Sequence, residues 1–315
     1  MNYTVYKMNC LDNSSSPMDI DTFIFFSTFE ERSWNIIEYL HLKRKLPKQV
    51  LALNLNDGKI SSKFEEVKFE EVKFYISNID TDLSSNLLPC LKDVNTYINK
   101  KNTIGIDISV MPTPVFTQIL HFLFKRHYDK KIVIYYTEPE HYNLDNLFDF
   151  HALDGEIDIK AIPGFEGKTS QKNDLQRVIF YILGFEMNYL NKLIPQEINP
   201  DGIVPINGFP SYFPKYKDIS VINNNVNYHE MDIQMVYSGA NNPFETFNQM
   251  CLLKNKHESY CIDIIPAGTK PMALGACLFA LKNGNNDIRI LFPFPSEYKN
   301  QHSIGKGTIW EYIID

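Results

Sequence analysis

Residues Ile104–Thr113 read IGIDISVMPT, and residues Tyr260–Met272 read YCIDIIPAGTKPM. Each is a short apolar run that breaks at a turn and leads into a helical pattern. The two are related by one offset: Ile106-Asp107-Ile108 returns as Ile262-Asp263-Ile264, 156 residues later. The same offset carries Phe29-Glu30 onto Phe185-Glu186, Thr113 onto Thr269, Ile132 and Ile134 onto Ile288 and Ile290, and Pro139 and Tyr142 onto Pro295 and Tyr298. A gapless offset shared over about 115 residues predicts two copies of one α/β unit, each too large to be a solenoid repeat.

Outward from these stretches, apolar runs alternate with helical periodicity. In the first copy the predicted strands are Thr22–Ser27, Gln49–Leu55, Lys73–Ile79, Ile104–Val110 and Lys131–Tyr136. Helical faces run through Trp34, Ile37, Tyr39 and Leu40, through Leu87, Leu91, Val94 and Ile98, and along Pro114–Arg126. The second copy has predicted strands at Val178–Leu183, Gly202–Ile206, Met231–Tyr237, Tyr260–Ile265 and Asp287–Phe292. Its helices are predicted from Met187–Ile194, at Pro243–Leu253 and at Met272–Lys282. Strands with few polar breaks imply a mainly parallel sheet covered on both faces. The expected organisation is an N-terminal unit at 1–142, a connecting segment at 143–177 and a C-terminal unit at 178–315. Each unit is expected to hold a five-stranded sheet in the order 3-2-1-4-5. Superposition should place Asp107 over Asp263 and Glu30 over Glu186. Residues 1–20 read as a polar arm with a short strand at Tyr3–Tyr6, Glu156–Ile162 as an extra strand, and Gly307–Ile314 as an edge strand. The pentad run KFEEVKFEEVKF at Lys63–Phe74 fits neither a helical nor a strand period and reads as a solvated charged face.

The composition excludes several classes. With 44% hydrophobic and 22% charged residues over 315 positions, the chain is that of a soluble globular protein of two ordinary domains. A net charge of −7 argues against general affinity for duplex nucleic acid, though not against a local basic pocket. No apolar run reaches the roughly 18 residues that span a bilayer, and the N-terminus carries no signal-peptide core, so a cytoplasmic location is expected. The five cysteines show no metal-ligand spacing and read as free, mostly buried thiols. Neither a metal nor a cofactor is expected.

In a 3-2-1-4-5 sheet the winding reverses between strands one and four, and ligands bind at their C-terminal ends. Four loops meet this condition: Thr28–Ser33 and Ser109–Thr113 in the first copy, Gly184–Glu186 and Pro266–Met272 in the second. The last is chemically the most suggestive. Gly268 allows close backbone approach, Thr269 suits an N-cap, Pro271 suits the first helical turn, and Lys270 adds positive charge where free N–H groups already favour anions. Thr113-Pro114 is the first copy's counterpart, without the Gly and the Lys. Glu30 and Arg32 are candidates to line the first crevice, with Asp107 and Ser109 at the end of strand four. Phe29 and Phe185 are candidates to stack on a base. The alternative is that both pack a helix onto the sheet while Glu30 and Glu186 favour a helix N-terminus.

The turn Gly268–Met272, followed by ALGACLFAL, resembles the ligand loop of CARF domains, Rossmann-like sensors of cyclic oligoadenylates in prokaryotic immunity. IDIS at Ile106–Ser109 resembles the Asp-hydroxyl strand end of that family, and Ala267 stands where the family has a second glycine. The resemblance implies two units paired about a pseudo-twofold axis, with an anionic (cyclic oligo)nucleotide in the cleft between them. It implies a sensor or regulatory subunit of an antiviral defence system that signals to a separate effector protein. Two alternatives remain open: a metal-independent, ring-nuclease-like phosphodiesterase that cleaves its own ligand, and a scaffold subunit.

Other motifs are weak. Gly164–Thr169 looks like the end of a P-loop, but the required first glycine falls at Ile162. Asp158-Ile159-Lys160 has a nuclease-like look without an upstream acidic partner. His141, His151 and His229 lack metal spacing.

Overall fold

The computed structural model describes residues 6–55, 72–85, 87–98, 103–126, 130–142, 153–167, 176–185, 201–224, 234–284, 287–298 and 303–315. The chain divides into two compact units, Met1–Asn143 with Gln301–Asp315, and Leu144–Asn300.

The N-terminal unit is built on β1 (Tyr6–Leu11), β2 (Thr22–Phe26), β3 (Gln49–Leu55), β4 (Lys73–Ile79), β5 (Thr103–Asp107), β6 (Lys131–Thr137) and the C-terminal β15 (Ile309–Ile314). The helices α1 (Asn35–Leu42), α2 (Leu88–Ile98) and α3 (Thr113–Arg126) lie between strands. The sheet order is β1-β15-β6-β5-β2-β3-β4, so the five strands β2 to β6 run parallel in the expected 3-2-1-4-5 order. The core on one face joins Phe23, Phe25, Trp34, Ile36, Ile37 and Tyr135. Phe25 and Trp34 meet edge-to-face at 5.0 Å, which anchors α1 to the sheet.

The C-terminal unit holds β8 (Leu153–Ala161), β9 (Arg177–Ile182), β10 (Gly202–Gly208), β11 (Val236–Ser238), β12 (Cys261–Pro266) and β13 (Ile288–Tyr298). Its order is β11-β10-β9-β12-β13-β8, again 3-2-1-4-5 among the parallel strands, with β8 antiparallel at one edge. Its helices are α4 (Pro214–Asn224), α5 (Pro243–Lys256) and α6 (Lys270–Asn283). Residues Pro271 to Ala280 of α6 are all buried. Gly275 lets α5 lie against α6, because a Cβ there would come within 2.3 Å of the Pro243 carbonyl oxygen.

Three expectations about connectivity change. The tail does not form an edge of the second unit: β15 inserts antiparallel between β1 and β6 of the first sheet. Its sequence IWEYII is apolar apart from Glu311, which suits an interior strand, and the buried Glu311 accepts hydrogen bonds from Asn9 Nδ2 (2.9 Å), the Met18 amide (2.8 Å) and Tyr135 Oη (3.2 Å). The edge is β1, formed by part of the supposed polar arm. The segment 143–177 is not merely a connection: the extra strand expected at Glu156–Ile162 forms as β8, pairs along β13 and completes the second sheet. β7 (His141–Tyr142) and β14 (Ser303–Ile304) form a separate small ribbon in the N-terminal unit. The Met187–Ile194 helix and most of the charged pentad run lie outside the described residues.

A fourth change concerns the repeat itself. Thr22 pairs with Ile104 in the first sheet, and Val178 pairs with Ile262 in the second. Strand one therefore keeps the 156-residue offset (Thr22 to Val178), whereas strand four moves by 158 (Ile104 to Ile262). Asp107 corresponds in the ladders to Ile265, and not to Asp263. A two-residue slip keeps the alternation of faces, so the apolar pattern tolerates either register.

The consequence is that Asp263 lies three residues before the end of β12, roughly 10 Å below the strand's C-terminal end at about 3.3 Å per residue. It is fully buried and takes 2.7 Å ion pairs from Arg177 and Arg289. The hydrogen bond to Asp263 raises the Arg289 pKa above its ordinary value, against the opposing effect of burial. Asp263→Asn is expected to cost about 3 kcal/mol, the lower end for breaking a buried pair, because the Arg177 and Arg289 side chains are 21% and 19% exposed and rehydrate. Asp158→Asn breaks the exposed pair with Lys160 on β8 and should cost about 0–1 kcal/mol; urea unfolding of the two variants measures both.

All five cysteines are free, with Cys90, Cys261 and Cys277 buried, Cys251 half-buried and Cys10 exposed. Burial, with a smaller push from Asp93, raises the Cys90 thiol to about 12, and burial raises Cys277 further. The thiolate is the reactive form. A disulfide reagent at pH 8 should therefore modify Cys10 rapidly and leave Cys90 and Cys277 unmodified until the chain is denatured.

Candidate functional site

In the N-terminal unit the predicted residues at the ends of β2 and β5 do come together, and they bind one another. Asp107 Oδ1 accepts hydrogen bonds from the Ser109 amide (2.8 Å) and from Ser109 Oγ. That same Oγ accepts from the Thr137 amide at 2.8 Å. Arg32 Nη1 donates to the carbonyls of Ser109 (3.3 Å) and Thr137 (3.2 Å), while Nη2 donates to Glu30 Oε2 (2.8 Å) and Ser303 Oγ (2.7 Å). Burial opposes the Arg32 charge, but Glu30 and neighbouring phenols outweigh it and hold its pKa above the ordinary arginine value. Arg32 is thus a buried strut across the C-terminal ends of β2, β5 and β6. Phe29 is 63% exposed and packs no helix onto the sheet. Thr113 is buried and is the first residue of α3, so the cap position falls on Pro112, whose carbonyl accepts from the Val115 amide at 3.0 Å.

The C-terminal unit builds its crevice differently. The loop after β9 and the loop after β12 interlock. A Cβ on Gly184 would lie 2.0 Å from the Ala267 carbonyl oxygen, and a Cβ on Gly268 would lie 2.5 Å from Ile182 Cγ2 and 3.0 Å from the Leu183 carbonyl oxygen. Thr269 caps α6 from an extended conformation (φ −67°, ψ 158°), and its Oγ1 accepts from the Met272 amide at 3.4 Å. The same hydroxyl donates to the Ala240 carbonyl. Lys270 then opens the helix, half-buried, with Pro271 in the first turn. The Gly268–Lys270 turn therefore stands at the switch point of the sheet, with its capping hydroxyl already committed to the fold.

A polar brace that sequence reasoning missed holds the rest of the crevice. Asn224 Nδ2 donates to the Gly184 carbonyl (2.8 Å), its Oδ1 accepts from Tyr181 Oη, and Asn223 Nδ2 donates to the Phe185 carbonyl (2.7 Å). Ser220 Oγ donates to Asn207 Oδ1 at 2.8 Å. All three of Ser220, Asn223 and Asn224 lie on α4, a helix absent from the sequence reading. Its buried face is Tyr216, Ile219, Ser220, Asn223 and Asn224, at helical spacing but largely polar, so apolar periodicity does not reveal it. Phe185 packs edge-to-face on Tyr216 at 5.2 Å, which supports the packing role over base stacking. Glu186 lies outside the described residues.

The weaker motifs find ordinary places. Gly164 and Gly167 have positive φ (92° and 61°) in the turn after β8. This turn lies at the N-terminal edge of the parallel strands, because β8 runs antiparallel to β13. Lys168 and Thr169 lie outside the described residues. Among the described residues, no group of His, Cys, Asp and Glu could hold a metal ion, and no helix is long and apolar enough to cross a membrane.

No family model and no curated protein sequence matches the chain. Among solved structures it is similar to a universal stress protein from Archaeoglobus fulgidus, with 12% identity over 89% of this chain and 98% of that one, at a TM-score of 0.26. A functionally unknown protein from Pseudomonas aeruginosa matches at 8% identity over 87% and 93% of the two chains, also at a TM-score of 0.26. Likeness at this level carries no argument. The α/β assignment stands on the strand order and registers of the two sheets.

The interlock of the two loops makes a test. Gly184→Ala should destabilise the C-terminal unit by about 1–3 kcal/mol or more through overpacking against backbone. Gly202→Ala is its control: a Cβ there would meet only Val178 Cγ2, at 3.9 Å, and stability should stay within about 0.5 kcal/mol. Thermal unfolding of the two variants side by side distinguishes them.

Proposed function

We propose that the chain is a ligand sensor whose C-terminal unit binds a nucleotide-type anion at the Gly268–Lys270 turn. The observation that carries this reading is the position of that turn. It lies where the winding of the second sheet reverses, between the ends of β9 and β12, and it opens a long buried helix with a lysine. Helix N-termini and lysine both favour anions, and switch points favour ligands. Gly268, Thr269 and Lys270 are the residues proposed to hold it, with Thr269 setting the loop and Lys270 supplying charge. Asp107, Ser109, Glu30 and Arg32 are assigned to holding the N-terminal unit together, since their polar groups are engaged with one another.

The resemblance of the turn to the CARF ligand loop supports a cyclic oligonucleotide as the ligand class. On that reading the protein is a cytoplasmic regulatory subunit of an antiviral defence system, acting through a separate effector. Incubating the protein with a panel of cyclic oligonucleotides tests this. Binding without linear products indicates a sensor, linear products indicate a phosphodiesterase, and no thermal stabilisation by any member removes the reading. Lys270→Ala should weaken binding of a phosphate-bearing ligand by about tenfold or more, the loss of one charge-assisted contact of about 1.5–3 kcal/mol. Its unfolding transition should be little changed, and isothermal titration beside denaturant melts measures both.

A further inference from the structure

On the C-terminal edge of the second sheet, Phe209 follows β10 and is 51% exposed, and Tyr237 on β11 is 46% exposed. Their rings meet edge-to-face at 6.0 Å and 72°. Lys217 Nζ lies 5.6 Å from the Phe209 ring centroid and is shared with Asp218 at 3.3 Å. The backbone beneath the pair is pinned. The Phe209 amide donates to the Ser238 carbonyl (2.8 Å) and the Ala240 amide to the Pro210 carbonyl (3.0 Å). The Ala240 carbonyl in turn accepts from Tyr212 Oη (3.2 Å) and from Thr269 Oγ1. One hydrogen-bonded segment, Ser238–Ala240, therefore joins the two exposed rings to the turn proposed to bind the anion.

We infer that Phe209 and Tyr237 form a base platform: a nucleotide held by phosphate at Lys270 lays its base against this ring pair, beside Lys217. This rests on the anion-binding reading of the Gly268–Lys270 turn and extends it to the other end of the ligand. From β12 the sheet runs through β9 to β10, which Phe209 follows, and to β11, which carries Tyr237, two and three spacings of about 4.8 Å, a span that a nucleoside triphosphate bridges from phosphate to base. Aromatic faces accept any base, and a lysine beside the ring adds attraction for an anionic aromatic ligand in a chain of net charge −7. A stable protein interface needs about 800 Å² from each partner, whereas the ring pair matches the size of one base. Neighbouring Phe213 packs on Tyr216 at 5.2 Å and is left out of the platform.

The test compares inorganic tripolyphosphate with ATP, GTP, CTP and UTP by titration of the full chain. Nucleotides should bind roughly 5- to 150-fold more tightly than tripolyphosphate, the range expected for stacking one base. Phe209→Ala should abolish that advantage and leave tripolyphosphate binding unchanged, Phe209→Trp should retain it with fluorescence quenched by nucleotide, and Lys270→Ala should weaken every probe. Equal binding of tripolyphosphate and nucleotides overturns the platform while the anion reading stands. A nucleotide advantage lost in Phe209→Ala but indifferent to Lys270→Ala upholds base stacking on the ring pair and overturns the placement of the phosphate at Lys270, and with it the anion reading. Absence of binding by every probe overturns both. If Phe209→Asp changes the mass measured by light scattering and leaves nucleotide affinity unaltered, the rings form an interface between copies of this chain and the platform is overturned.

Discussion

Two glycines control the crevice of the second sheet. Gly184 and Gly268 let the loops after β9 and β12 cross at a separation that no Cβ permits, 2.0 Å for Gly184 against the Ala267 carbonyl oxygen and 2.5 Å for Gly268 against Ile182 Cγ2. Backbone packed so closely cannot relax sideways, so its position is set by what surrounds it. Thr269 fixes one side through Ala240 and the first turn of α6, and Asn223 and Asn224 fix the other through the carbonyls of Phe185 and Gly184. The turn that presents Lys270 is held from both directions.

The two units reach the same strand order by different use of polar groups. In the first, the C-terminal end of the sheet is closed by a charged strut: Arg32 reaches Glu30, Ser303 and two carbonyls, and Asp107 is spent on Ser109. In the second, neutral asparagines and a threonine tie the loops, and the charged cluster of buried Asp263 with Arg177 and Arg289 sits toward the N-terminal ends of the strands. A buried carboxylate between two arginines ties neighbouring strands but lies far from the loops at their C-terminal ends. The same residue type in the same tripeptide, Ile-Asp-Ile, therefore serves the loop end of the sheet in one copy and its interior in the other.

Much of the fold was legible in the linear chain. Apolar runs such as TFIFFS and CIDIIP give buried parallel strands because both faces are covered, and Asn242 and Thr269 announce helix starts through capping, which is local chemistry. Helix α4 was not legible, because its buried positions Ser220, Asn223 and Asn224 are polar and answer hydrogen-bonding needs of distant loops. The destination of the tail was equally hidden. Nothing within IWEYII says that it returns to pair with β6 and β1 rather than extending the nearer sheet.

By itself, the sequence determined the class of structure: strand and helix periodicities, two successive runs of alternating strands and helices, and a glycine-threonine-lysine turn at a strand end. These follow from local periodicity and turn chemistry, which short segments encode. Tertiary structure alone decided which copy of Ile-Asp-Ile faces a loop, which polar residues are spent on one another, and which aromatic rings stay exposed. A strand slipped by two residues keeps its apolar face, so pattern cannot choose the register. A charged or aromatic side chain reveals its role only when its partners, often many residues away, are brought beside it.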